Sequence, residues 1–234
     1  MHSRFMKTIG PRFLLLLWLT GQSITAQAGL YASWSGTQAI PDNHGSGLAY
    51  SFNLSDPVTA IGNVVVTLNI SGGYNGDLYA YLSHGDGFAV LLNRVGRTGT
   101  SDYGYSTPGF VATLTGSATA DIHNYQTLSP TYNGNGQLTG TWGADGRDVD
   151  PGLAYNSTDR TATLAGLNGL DPNGARTIYF RDASPSGIST LNGWSVDVTA
   201  VPEPVNVALG VFAVAGILVH GGRVWRRWRL RRKV

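Results

Sequence analysis

The amino-acid sequence predicts an all-β sandwich, and three observations carry that expectation. In the middle of the chain, β-branched and aromatic residues recur with a period of two in short runs, which clusters of Gly, Asn, Asp and Ser interrupt. Glycine supplies 32 of 234 residues, about twice its usual share of ~7%. No window between the runs has a helical period, and no repeat of fixed length is present. Hydrophobic residues make up 42%, enough for a core and too many for a disordered chain. Charged residues are only 13%, against a typical ~25%.

The first 28 residues read as a secretory signal. Arg4, Lys7 and Arg12 form a basic start, and Phe13 to Leu19 a short apolar core. Ala26-Gln27-Ala28 is a small-x-small site that places cleavage after Ala28. The apolar core is too short to span a bilayer of ~30 Å. Residues 29–38 read as a lead-in to a folded body at 39–200.

Within the body, Val64, Val66, Leu68 and Ile70 fall on one face of a strand, with Val65, Thr67 and Asn69 on the other. The run Gly72-Gly73-Tyr74-Asn75-Gly76 then reads as a tight turn. Leu78, Ala80 and Leu82 alternate with Tyr79, Tyr81 and Ser83 in the next strand. Ile178 and Phe180 alternate with Thr177, Tyr179 and Arg181, and Trp194, Val196 and Val198 with Ser195, Asp197 and Thr199. Trp194 leads an apolar set, so it belongs to the core. About 160 residues is ample for one sandwich core.

The last 34 residues differ from the body. Val201-Pro202-Glu203-Pro204 precedes an apolar stretch, with a predicted membrane helix at about 205–222. Arg223, Arg226, Arg227, Arg229, Arg231, Arg232 and Lys233 close the chain. Such a basic cluster stays on the cytoplasmic side, so the body faces outward. The two prolines also keep the segment around Glu203 extended and unpaired.

Charge follows the same division. The formal net charge is +2. Between Gly29 and Ala200, however, six arginines stand against 13 aspartates, with no lysine and no glutamate, a balance of −7. An acidic body of this kind excludes nucleic acid as a partner. The absence of cysteine excludes disulfides, thiolate nucleophiles and cysteine metal sites.

Two resemblances extend this reading. Pro202-Glu203-Pro204, the apolar stretch and the arginine cluster together resemble a PEP-CTERM sorting signal. That resemblance implies processing by an exosortase of a Gram-negative bacterium near Val201 to Pro204. It also implies a tether to the membrane before processing, then a place at the cell surface or in the extracellular matrix, where such tails accompany exopolysaccharide and biofilm. In the body, Ile40-Pro41-Asp42-Asn43, the block Val64 to Leu82 with Gly-Gly-Tyr-Asn-Gly-Asp-Leu at 72 to 78, and Leu91 to Gly96 resemble the P domain, also called Homo B. Asp171 to Gly174 and Leu191 to Val196 are similar to its closing strands. That likeness implies a galactose-binding-like jelly roll, which usually stabilises a subtilisin-like protease. The chain departs from the family at Asn173-Gly174-Ala175-Arg176-Thr177, which has no tryptophan, and its length leaves no room for a protease domain.

The sequence names few groups for chemistry. His44 sits in a glycine-rich turn, His84 at a hairpin tip and His123 in an undistinguished segment. None accompanies a serine in a nucleophile elbow, so they read as solvated turn residues and the chain as non-catalytic. Calcium takes six to eight oxygen ligands. Its candidate ligands are Asp145, Asp148 and Asp150 in one loop, and Asp42, Asp77 and Asp182 where loops meet at one sheet end. Tyr74, Tyr79, Tyr81, Tyr103 and Tyr105 are candidates for stacking on sugar. The function expected is a binding or structural module for polysaccharide or a protein partner. The alternative is an accessory P domain of a subtilisin-like serine peptidase system.

Overall fold

The computed structural model describes residues 29–55, 59–85, 87–156 and 158–202, together with 212, 214–217 and 220. These residues build an all-β sandwich of two sheets. The five-stranded sheet has the order β1 (Gly29–Ala39), β9 (Ser189–Pro202), β3 (Thr59–Gly72), β6 (Gly109–Thr115) and β7 (Leu138–Trp142). The four-stranded sheet has the order β2 (Leu48–Leu54), β8 (Gly174–Asp182), β4 (Leu78–His84) and β5 (Gly87–Asn93). Neighbours pair antiparallel except β6 with β7. Among the described residues of the body, helical structure is limited to short 3₁₀ turns.

The period-two pattern decides which side chains meet. Val64, Val66, Leu68 and Ile70 of β3 are buried, as are Leu78, Ala80 and Leu82 of β4, and Ile178 and Phe180 of β8. They form one core with Trp194, Val196 and Val198 of β9. Each Val, Leu, Ile or Phe side chain buried there contributes about 1.5–3 kcal/mol. Two bulges adjust the faces. The β3–β9 register shifts between Ile61 and Asn63, so Ile61 and Val64 both point inward although three residues apart. A second shift opposite Asn192 lets Leu191 and Trp194 both face the core.

The predicted lead-in is corrected: residues 29–38 are almost the whole of β1, an edge strand of the five-stranded sheet. It pairs with β9 from Gly29–Thr199 to Ala39–Thr190. Leu30, Ala32 and Trp34 pack on the core. The Trp34 ring lies 4.9 Å from that of Tyr50, which in turn lies 5.8 Å from Trp194. A second correction concerns Pro202. It is extended but not unpaired, since it ends β9 opposite Thr59.

The turn between β3 and β4 is built by its sequence. Asn75 is fully buried; its amide donates to the Gly109 carbonyl and the Tyr125 hydroxyl, and its carbonyl oxygen accepts from the Gly109 N–H. Gly76 lies under the backbone of Tyr103 to Tyr105, and a Cβ there would collide with the Tyr103 carbonyl. This turn therefore fixes Asp77 at the end of the sandwich.

Candidate functional site

Asp77 and Asp182 are brought together by the β4–β8 register, in which Leu78 opposes Asp182. Both are buried, and the Ala183 N–H donates to the Asp77 carbonyl. Arg94 Nη2 stands 3.5 Å from Asp77 Oδ1, and Arg94 Nε donates to the Gly76 carbonyl at 2.9 Å. Arg94 holds this position at φ 51°, a left-handed conformation that costs an L-residue about 1–2 kcal/mol. Asp182 Oδ1 accepts from the Ser184 N–H, while Asp182 Oδ2 and Ser189 Oγ are buried without a hydrogen bond of normal geometry, although the Ser189 hydroxyl lies near enough to favour the carboxylate.

Electrostatics follow from this crowding. Burial raises the Asp77 pKa above the ordinary carboxylate range, opposed by Arg94 and reinforced by Asp42. The Asp182 carboxyl is pushed up to about 6, chiefly by burial, with the fields of Asp77 and Asp42 adding to it. Asp42 itself is exposed, on the segment that follows the Ile40 N–H bond to the Ser189 carbonyl. Among the described residues, no three Asp, Glu, His or Cys side chains group closely enough to hold a metal ion. The three-aspartate cage expected of Asp42, Asp77 and Asp182 is therefore corrected to a buried pair with Asp42 nearby. The orphaned Asp182 Oδ2 still fits a hard cation, whose remaining ligands would be serine hydroxyl and backbone carbonyl oxygens.

The second predicted calcium loop has a different role. Asp145 is fully buried and is held by Arg147 Nη1 at 3.0 Å and His123 Nδ1 at 2.8 Å. Arg147 Nη2 reaches Asp121 at 3.0 Å, and Arg160 Nε lies 3.8 Å from the same carboxylate. Burial opposes the Arg147 charge, but Asp145 and Asp121 outweigh it and raise its pKa. Asp145 Oδ2 also accepts from the Asn93 N–H, and the Asn93 amide donates to the carbonyls of Arg147 and Val149. The loop is thus fastened to β5 by hydrogen bonds and to the turn carrying Asp121 and His123 by ion pairs. Asp148 and Asp150 are exposed beyond it.

Two histidines expected as solvated turn residues are buried instead. His84 Nε2 is held at the Asp171 carbonyl and Nδ1 lies 3.4 Å from the Ala175 carbonyl. His123 Nε2 lies 3.1 Å from the Arg97 carbonyl. With Nδ1 on Asp145, both ring nitrogens of His123 are occupied, and neither meets a serine. Only His44 is an exposed turn residue, bonded to Ser46. The His123–Asp145 pair escapes sequence reading because 22 residues separate the partners. Its one local signal is Asp121 two residues before His123, whose side chain caps a 3₁₀ turn.

The tyrosines divide. Tyr105 packs against Tyr125 at 4.7 Å, whereas Tyr74 and Tyr103 are exposed. Tyr79 and Tyr81 lie on the outer face of the four-stranded sheet. The signal cleavage residues Ala26 and Ala28, the motif residues Glu203 and Pro204, and the cluster Arg223, Arg226, Arg227, Arg229, Arg231, Arg232 and Lys233 lie outside the described residues. Phe212, residues 214–217 and His220 are helical and exposed. No helix among the described residues is long and apolar enough to cross a membrane.

No family model and no curated protein matches the chain. Among solved structures it is similar to a serine protease of Aeromonas sobria, at 12% identity and a TM-score of 0.42. It is also similar to that protease in complex with its chaperone ORF2, at 13% identity and 0.42. In both cases the match covers 77% of this chain and 28% of the other, and at such scores the likeness carries no functional argument.

Proposed function

We propose that this chain is an exported, exosortase-processed, non-catalytic β-sandwich of the cell envelope or extracellular matrix, acting as a binding or structural module. Its finer fold is the galactose-binding-like jelly roll. The observation that carries the reading is a two-sheet body of strands lying between the two expected processing signals. Its described strands run from Gly29 of β1 to Pro202 of β9. Phe212, Val214 and Ile217 expose 73%, 58% and 71% of their surface on a helix, an arrangement costly in water and favourable in lipid.

The test is mass spectrometry of the mature protein recovered from an exosortase-bearing Gram-negative host. Cleavage before Gly29 and loss of the arginine-rich terminus are the expected results. An intact arginine-rich terminus would leave a permanent anchor and overturn the processing claim. The non-catalytic assignment draws support from the occupied nitrogens of His84 and His123. A stable complex with a subtilisin-like chain in a pull-down would move the function to that of an accessory P domain.

Calcium belongs to the same proposal. Asp77 and Asp182 would hold it, with Ser184 and Ser189 beside them, and its charge would answer the unpaired Asp182 Oδ2. Asp145, Asp148 and Asp150 are not part of this site.

A further inference from the structure

The outer face of the four-stranded sheet carries an aromatic strip that no core contact requires. Tyr81 on β4 and Tyr179 on β8 are direct cross-strand partners, and their rings stack 4.9 Å apart at 20°. Tyr79 lies 6.0 Å from Tyr81 along the strand, and Phe88 on β5 lies 5.2 Å away on the other side. All four are half-buried. Cross-strand rings stabilise a sheet modestly, yet four adjoining rings on the outward face also form a continuous apolar platform.

Polar groups border this platform. Arg181 opposes Tyr79 across β8 and β4, and its Nε is buried with no hydrogen-bond partner. The Tyr79 phenol has its pKa pushed up to about 12, by burial first and then by Asp148, Tyr81, Tyr179 and Asp150. Asn93 opposes Tyr79 across β5 and β4, and its amide holds the carbonyls of Arg147 and Val149, which brings the exposed Asp148 between them to this edge of the platform. Next to Tyr179, Thr177 bonds Ser51 across β8 and β2 at 3.0 Å. Aromatic rings with carboxylate and guanidinium groups at their edge match a sugar, whose C–H faces are apolar and whose rim is hydroxyl.

We propose that this face binds a neutral polysaccharide, with Tyr79, Tyr81, Tyr179 and Phe88 as the platform and Arg181 and Asp148 as hydrogen-bonding partners to sugar hydroxyls. The inference rests on the binding-module reading above and names its ligand class. Neutral rather than anionic follows from charge. The body carries a balance of −7, and carboxylates border the platform, so a uronic-acid polymer meets repulsion. Arg181 as a whole is half-exposed beside Tyr79, which puts its guanidinium at the rim where sugar hydroxyls would lie.

Affinity electrophoresis of the purified body in gels containing hydroxyethyl cellulose, galactomannan, dextran or alginate tests the proposal. Retardation by at least one of the three neutral polymers is expected. Tyr81→Thr keeps a strand-favouring residue and should weaken binding about tenfold. Arg181→Gln should weaken it severalfold, and Tyr31→Ala, exposed on the other sheet, should leave it unchanged. Thermal melting of each variant separates lost binding from lost folding. Neutral binding that survives both Tyr81→Thr and Arg181→Gln overturns this face while leaving the binding module intact. Retardation by alginate alone, or by no polymer, overturns the ligand class; the mature-protein mass then decides independently whether the exported-module reading stands.

Discussion

Asp182 has a fully buried side chain with one carboxylate oxygen unanswered. Such a group is costly when charged, and the fold responds by raising its pKa to about 6. The sign of the pH effect follows. Between the unfolded carboxyl pKa of about 4 and the folded value, the native state holds more protons than the unfolded chain. Stability therefore falls as pH rises through that window and levels off above it. Asp182→Asn should remove on the order of 2–3 kcal/mol of this penalty at neutral pH and flatten the profile. Urea denaturation at several pH values measures both, and a variant that retains the wild-type slope refutes the assignment. Added calcium should raise the melting temperature of the wild type and not of the variant. Asp145 presents the opposite case, a buried carboxylate answered by Arg147 and His123. Asp145→Ala removes one of the two carboxylates that answer the buried Arg147 guanidinium, together with the partner of His123 Nδ1, and should cost about 3–5 kcal/mol in equilibrium unfolding.

At the scale of the element, β1 and the bulges matter most. β1 closes the β9 edge of the five-stranded sheet, and Trp34 continues the ring series Tyr50, Trp194 and Phe52. A chain starting at Ala39 should lose cooperative unfolding and aggregate, because β9 would expose an unpaired backbone edge and the core would lose Leu30, Ala32 and Trp34. Size-exclusion chromatography and circular dichroism check this; a monomeric, cooperatively melting product would restore the lead-in reading. The alternation of Leu30, Ala32 and Trp34 was present in the sequence. Glycines and serines dilute that pattern, and only the pairing with β9 gives it a partner. The strands β3, β4, β8 and β9 were legible because their apolar residues are β-branched and strictly alternate. The bulges were not, since an extra residue opposite a partner strand is defined only once the pairing exists.

At the scale of the whole molecule, the chain separates into parts that physics reads with different ease. Composition and period two determined the all-β class, the inward faces of four strands and the acidic character of the body. These are local properties: a pleated backbone points alternate side chains to opposite faces whatever their partners are. The basic and apolar segments at the two ends are equally local, which is why the sequence proposes an exported protein before any fold is known. Only the tertiary structure decided that Asp77 meets Asp182, that Asp145 belongs to His123 and Arg147 rather than to calcium, and that Tyr81 stacks on Tyr179. Apart from Asp145 and Arg147, which are neighbours in the loop, these pairs join residues far apart along the chain, and their meeting depends on strand order and register. Those follow from how all the apolar faces close on one core, which no single segment encodes.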